Sequence, residues 1–370
     1  DEVVYYLDGI EIPNINHFST QGSAGGPVGM LNVSFISDVR LSSSAFGAQY
    51  NNPLSGVLQF TQRDVNPDGF AGNFRLSASE AALTLETPLL VNKKNGEVKT
   101  DVLLSVRRSY LQFLFELIGL PIRPDYWDYQ YKLNHKIDAY NSLSFVGLGS
   151  IDEFTVALPE DPTPDQQATF DQVPFINQNS NTVGVTWKRR FKDQSGFMEV
   201  SLSNNSLWNT YSEYNDNASQ TELRFQNDAL ESETKLRLAV NRFAEGWKWS
   251  HGLNLQRAFY ENSTLNTLAA YQYNTSLDFL NYGLFAQGSK DFLQDRLALS
   301  FGFRMDGDTF IKGSNLLKTF SPRASASYAL TPSWKLNGTA GVYYKIPPYT
   351  CLLYTSPSPR DLSTSRMPSS

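Results

Sequence analysis

Residues 127–134 read WDYQYKLN. Trp127, Tyr129, Tyr131 and Leu133 fall on one side of an extended chain, and Asp128, Gln130, Lys132 and Asn134 on the other. Successive side chains of a strand point to opposite faces, so this period of two predicts a strand between an apolar and a polar medium. The pattern recurs. Phe301, Phe303 and Met305 oppose Ser300, Gly302, Arg304 and Asp306; Met198, Val200 and Leu202 oppose Glu199, Ser201 and Ser203. Further on, Ala324, Ala326, Tyr328 and Leu330 oppose Arg323, Ser325 and Ser327.

Any antiparallel sheet with one wet face alternates in this way. The connections discriminate better. About thirteen strands follow residue 72, and their links alternate between short and long. Short links lie near 92–97, 138–141, 192–196, 244–247, 291–295 and 331–334; long ones lie near 111–126, 151–180, 211–228, 262–276 and 310–318. Short turns at one rim and long loops at the other predict a transmembrane antiparallel β-barrel. About ten strand residues at ~3.3 Å each, tilted by ~45°, span roughly 23 Å, close to the ~25 Å apolar band of such barrels. Arginine in place of Phe303 should therefore cost ~2–4 kcal/mol, and in place of Gly302 less.

Composition agrees. The 370 residues include 24 Phe and 19 Tyr, enough for the aromatic girdles of a barrel. No apolar run reaches the roughly 18–20 residues of a spanning helix. The best stretch, 111–122, contains Gln112 and Glu116, and 111–119 predicts only a short amphipathic helix within a long link. A net charge of −6 gives no footprint for nucleic acid. His17, His135 and His251 have no second ligand at metal spacing, and Asp306 with Asp308 read as lumen-lining charge. No Ser-His-Asp arrangement or nucleophile elbow is present, so neither an enzyme, a metal nor a cofactor is expected.

The first 70 residues differ. VVYYLDGIEIPN, a Gly-rich stretch over 22–29, and a segment ending GVLQFTQRD read as short strands joined by Asp-Gly, Pro-Asn and Asn-Pro turns. The Gly-rich stretch supplies close backbone approach, and no Lys-Ser/Thr pair completes a phosphate cradle. At the other end, residues 351–370, CLLYTSPSPRDLSTSRMPSS, break every strand pattern. They resemble the reading-frame translation of a DNA library adapter and are expected to be non-native.

YLDGIEIPN, then Ile36, Val39 and Leu41, then Tyr50–Phe60 resemble the C-terminal half of the plug of a TonB-dependent receptor. SVRRSY, YWDYQYKLNHKI, GLGSIDEF and SPRASASYAL are similar to the barrel of the group common in Bacteroidetes-type bacteria. Asn51-Asn52-Pro53 and Ser55 depart from the family's small-residue pattern. The resemblance implies part of a plug over 1–70 and a partial barrel over 71–350, in a bacterial outer membrane. It implies import of a scarce solute (siderophore, cobalamin, peptide or oligosaccharide) by plug gating, driven by the inner-membrane TonB–ExbB–ExbD complex through a preceding segment. It places 14–30 at the plug apex, so Asn14, Asn16, His17, Phe18, Ser19 and Gln21 are candidate ligand contacts; the alternative is that they pack the plug against the wall. Arg107, Lys132, Lys188, Arg190, Arg304 and Arg323 lie on polar strand faces and are expected to face plug or lumen. The rival to import is a non-catalytic surface β-protein that binds glycans or acts as an adhesin.

Overall fold

The computed structural model describes residues 2–19, 26, 28–43, 46–92, 95–157 and 161–355. Two sheets carry the fold. The smaller uses β1 (Val3–Leu7), β2 (Ile10–Ile12), β5 (Ile36–Ser42) and β6 (Gly56–Gln62) in the order β2-β1-β6-β5, with β1 and β6 parallel. Asp8 and Gly9 both take positive φ, 47° and 82°, which suits the primed two-residue turn joining β1 to β2. A two-residue ladder, β3 (Asn16–His17) with β4 (Val28–Gly29), forms a separate hairpin. Gly26 lies against it so closely that a Cβ would overlap the His17 carbonyl oxygen, the close approach expected of the Gly-rich stretch.

The larger sheet has thirteen strands paired antiparallel in chain order. They are β7 (Ala71–Leu76), β8 (Glu80–Val91), β9 (Val98–Ser109), β10 (Ile122–Lys136), β11 (Asn141–Val156), β12 (Phe175–Arg190) and β13 (Gly196–Asp216), then β14 (Thr221–Ala244), β15 (Trp247–Asn266), β16 (Tyr271–Phe292), β17 (Leu297–Asp308), β18 (Ser321–Thr331) and β19 (Trp334–Gly341). Among the described residues this wall does not close: β7 and β19 are its edges.

The wall is inside-out relative to a soluble sheet. Trp127 is 46% exposed and Phe301 58%, whereas Gln130 and Arg304 are each 1% exposed. The apolar face looks outward, where only lipid would make that arrangement favourable. The polar face holds the small sheet: Leu7, Ile10, Ile12 and Met30 pack on Val146 and Leu148 of β11. Gly184 of β12 makes room for this contact, since a Cβ there would sit 2.7 Å from Ile10 Cδ1.

Two expectations need correction. The links near 211–228 and 262–276 are mostly strand. β13 and β14 run 21 and 24 residues and are joined by 217–220 alone; β15 and β16 are joined by 267–270. Backbone ladders need no apolar band, and side-chain bonds such as Thr210–Asp228 (2.8 Å) and Asn227–Thr264 (2.8 Å) continue the pairing past it. The links at 111–126 and 151–180 do hold helices, α1 (Leu111–Leu117) and α2 (Pro164–Gln172). Secondly, Gly302 is not a permissive position. Its Cβ would meet the Ala286 carbonyl at 3.0 Å and Ala48 at 3.1 Å, so arginine has no room on the inner face there.

After β19 the chain turns inward to α3 (Tyr349–Thr355), where Leu352 is buried beside Ala229, Ala258, Tyr260, Leu277 and Phe279. Of the adapter-like stretch, residues 351–355 are thus helical and the remainder lies outside the described residues.

Candidate functional site

The β3–β4 hairpin reaches the inner face of β9–β12 and is held there by charge. His17 is fully buried; its Nδ1 lies 2.6 Å from Asp152 Oδ1 and its Nε2 3.0 Å from Asp128 Oδ2. Its ring stacks on Tyr126 at 3.9 Å. Burial alone pushes the imidazole pKa down, but the hydrogen bonds and charges of Asp128 and Asp152 outweigh it, and the net shift is upward. With an anionic acceptor at each ring nitrogen, the protonated ring satisfies both. Arg107 completes the cluster, donating to Asp128 (2.7 Å), Glu80 (3.2 Å) and the Gly29 carbonyl (2.6 Å). Asp152 also accepts from the Phe18 backbone N–H at 3.1 Å, and Gln178 donates to the Ser19 carbonyl at 2.8 Å.

A cavity of about 650 Å³ is lined by Phe18, Ser19, Tyr211, Arg224, Phe225 and Asn227 among others. That volume lies within the ~300–1,000 Å³ usual for ligand pockets. Arg224 pairs with Glu213 at 2.6 Å, and Tyr211 donates to the same carboxylate at 2.7 Å, so the rim combines aromatic faces with an ordered charge pair. Phe18 takes φ of 56°, a strained backbone for a bulky residue, with its ring edge-on to Phe154 at 6.0 Å.

The six residues read as ligand contacts thus separate. Phe18 and Ser19 line the apex cavity. Asn14 bonds its own turn, accepting from Asn16 N (3.0 Å) and donating to the Ser19 hydroxyl, and lines a deeper cavity. Asn16 is half-buried and paired with Gly29 in the hairpin. His17 is sealed against the wall, and Gln21 lies outside the described residues.

The six lumen charges separate as well. Arg107 grips the hairpin. Lys132 donates to the Gln62 carbonyl (3.1 Å) and pairs with Asp8 (3.3 Å). Arg304 binds Asp306 (2.6 Å) and reaches the Ala48 carbonyl (3.3 Å). Arg323 donates to the carbonyls of Phe46 (3.3 Å), Gly47 (2.7 Å) and Tyr50 (3.2 Å). Lys188 pairs with Glu199 at 3.0 Å across the ladder, and Arg190 is exposed at the end of β12. Sequence reasoning missed Glu80, Asp152, Gln178 and the Lys235–Glu11 pair (2.7 Å). Asp128 and Gln130 were legible as polar-face residues through alternation; which atoms of the leading unit they meet was not.

The profile of the family described as "TonB dependent receptor-like, beta-barrel" matches residues 111–365. No curated protein matches the chain. Among solved structures, a ferric enterobactin receptor mutant of Pseudomonas aeruginosa is similar at 14% identity with a TM-score of 0.62, over 94% of this chain and 55% of that one. A siderophore receptor, PirA of Acinetobacter baumannii, gives 12% and 0.64, over 94% and 54%. The copper transporter OprC gives 12% and 0.65, over 92% and 55%. At these identities the likeness shows the fold alone, and the chain spans about half the length of the structures it matches.

Proposed function

We propose, because this chain belongs to the TonB-dependent receptor family of outer-membrane β-barrels, that it captures a scarce extracellular solute and takes part in its energy-coupled import. The observation carrying this reading is the apex cavity: one wall is Phe18 and Ser19 of the plug, the other the outer ends of β12–β15 and the turn that follows β15. A solute seated there touches both the part that moves and the part that does not. Binding energy can then bias the plug between two positions, the requirement for gating. The step is recognition and displacement, with no bond made or broken.

The inner-membrane TonB–ExbB–ExbD complex would supply the work, acting through a segment that precedes the plug sheet. The solute class stays open among metal chelates, cobalamin, peptides and oligosaccharides. Phe18 is the residue to test, because His17 serves the wall contact and its loss would disturb the plug itself. In the full-length receptor, Phe18→Ala should weaken capture of whichever member of a siderophore, cobalamin, peptide and oligosaccharide panel the parent binds. The folded barrel should persist in the same amount, since its strands are held by their own ladders. Unchanged affinity for that solute would remove the apex cavity from the site.

A further inference from the structure

Four cavities follow one another down the inner face of β14 in residue order, from the connection at 217–220 toward the short turn that ends the strand. The apex cavity meets β14 at Arg224, Phe225 and Asn227. A cavity of about 210 Å³ follows at Glu231 and Glu233, one of about 50 Å³ at Lys235 and Arg237, and one of about 1020 Å³ at Arg237 and Asn241. β13 lines the same four in the same order, with Tyr211, Leu207, Ser203 and Glu199. Each cavity shares part of its wall with the next. Ser19 joins the first to the second, Gln256 the second to the third, and Tyr6 and Arg237 the third to the fourth. Among the described residues, none of β17 or β18 lines any of the four. On that side Arg304 and Arg323 close the seam on backbone carbonyls of the leading unit, and Gln287 of β16 accepts from the Ala48 N–H at 2.7 Å.

The column is narrowest at the third cavity, which has room for about one or two waters. Across this point Lys235 of β14 donates to Glu11 of β2 at 2.7 Å. Lys235 also pairs with Glu233, its neighbour on the wall, at 2.6 Å, and the Tyr6 hydroxyl donates to Glu11 at 3.4 Å. Withdrawal of β2 would therefore take Glu11 away with Tyr6 and leave Lys235 with Glu233. Stripping a buried charge of every partner is strongly unfavourable, and this arrangement avoids it on both sides. Nothing larger than water can move between the second and fourth cavities until the pair parts. We propose that, of the seams between the leading unit and these thirteen strands, the one along β13–β15 opens for the solute, with the Glu11–Lys235 pair as its latch. This rests on the import reading above and adds to it a route and a point of release.

The test places thiol bridges in the full-length receptor in cells, using the solute of the panel above that the parent binds. Glu11→Cys with Lys235→Cys is bridged across the constriction by a short, reductively cleavable bis-thiosulfonate. Ala48→Cys with Gln287→Cys, on the side held by Arg304, is bridged by the same reagent. Binding and energised uptake are measured before bridging, after it and after cleavage. The 11–235 bridge should abolish uptake, leave binding unchanged and restore uptake on cleavage, whereas the 48–287 bridge should alter neither. Uptake that survives the 11–235 bridge, or equal loss with both bridges, would overturn the latch. Should the paired cysteines lower the folded amount, Ser201→Phe decides the matter, because Ser201 lines the constriction from β13. A phenyl group there should stop uptake with binding kept, and uptake at the parental rate would overturn the route. Phe18→Ala in the same cells separates the two readings. If it leaves binding unchanged while the bridges behave as expected, the apex reading falls and the route stands; if it weakens binding while the bridges have no effect, only the route falls. A parent that takes up no member of the panel removes both.

Discussion

The wall holds the leading unit, residues 1–70, at two places with arginine, and the two grips differ in chemistry. On the β9–β11 side, Arg107 sits among Asp128, Glu80, Asp152 and His17, an assembly of opposite charges around the hairpin. On the β18 side, Arg323 meets uncharged acceptors, the backbone carbonyls of Phe46, Gly47 and Tyr50 and the Ser321 hydroxyl, with its guanidinium 4.7 Å from the Tyr343 ring centre. One grip depends on a network that contains a titratable histidine, the other on a guanidinium that donates to uncharged acceptors. The first can be weakened by loss of the His17 proton or by a ligand competing in the adjoining cavity; the second persists until a carbonyl moves.

The largest expected effect comes from removing a carboxylate from the first grip. In the full-length receptor, Asp128→Ala leaves Arg107 and His17 buried without their shared partner. Such losses cost about 3–5 kcal/mol. Amide exchange in Asn16–His17 should rise by orders of magnitude while that of Ile10–Ile12 changes little; equal loosening of both would show that the grips are not separate. Phe301→Arg touches neither grip and instead puts charge on the outer face, at ~2–4 kcal/mol near mid-depth. It should lower folded yield in bilayers without altering exchange at the hairpin. A change confined to the plug would mean the faces are misassigned. Arg323→Ala should cost about 1.5–3 kcal/mol through its charged hydrogen bonds, read as faster exchange or protease access around 46–50.

The smallest effect is the pH response, and its sign follows from His17. Its folded pKa is raised, so its contribution is complete below the unfolded value of about 6.5 and is lost as pH rises through the folded one. Raising pH through the range in which histidine titrates should therefore loosen the hairpin and leave the Arg323 contact unchanged. His17→Gln should abolish the pH dependence of hairpin exchange. A pH dependence that survives His17→Gln would assign the titration to another member of the cluster.

Much of the wall was legible beforehand, for a local reason. Residues such as Trp127 and Asp128, or Phe301 and Arg304, declare their faces by parity, and the short turns at 138–141 and 244–247 follow from where parity stops. Strand length was not legible beyond the apolar band. There both faces meet water, the alternation fades, and the ladder between β13 and β14 continues on backbone bonds that no side-chain pattern records. The same limit governs the site. His17 read as an isolated histidine at a solvent-facing apex, because its partners lie 111 and 135 residues away in sequence.

The sequence by itself determined a thirteen-strand wall with an apolar outside, a polar inside and a separate leading unit, since each follows from the two-residue period and the turn residues between strands. Tertiary structure alone decided which polar residues became grips and which became cavity lining. That choice depends on where Ile10, Ile12 and Met30 seat the small sheet against β11, because a rigid unit packed at one place brings His17 to Asp152 and Glu11 to Lys235. Side chains with the same parity are equivalent until a packed neighbour makes them different.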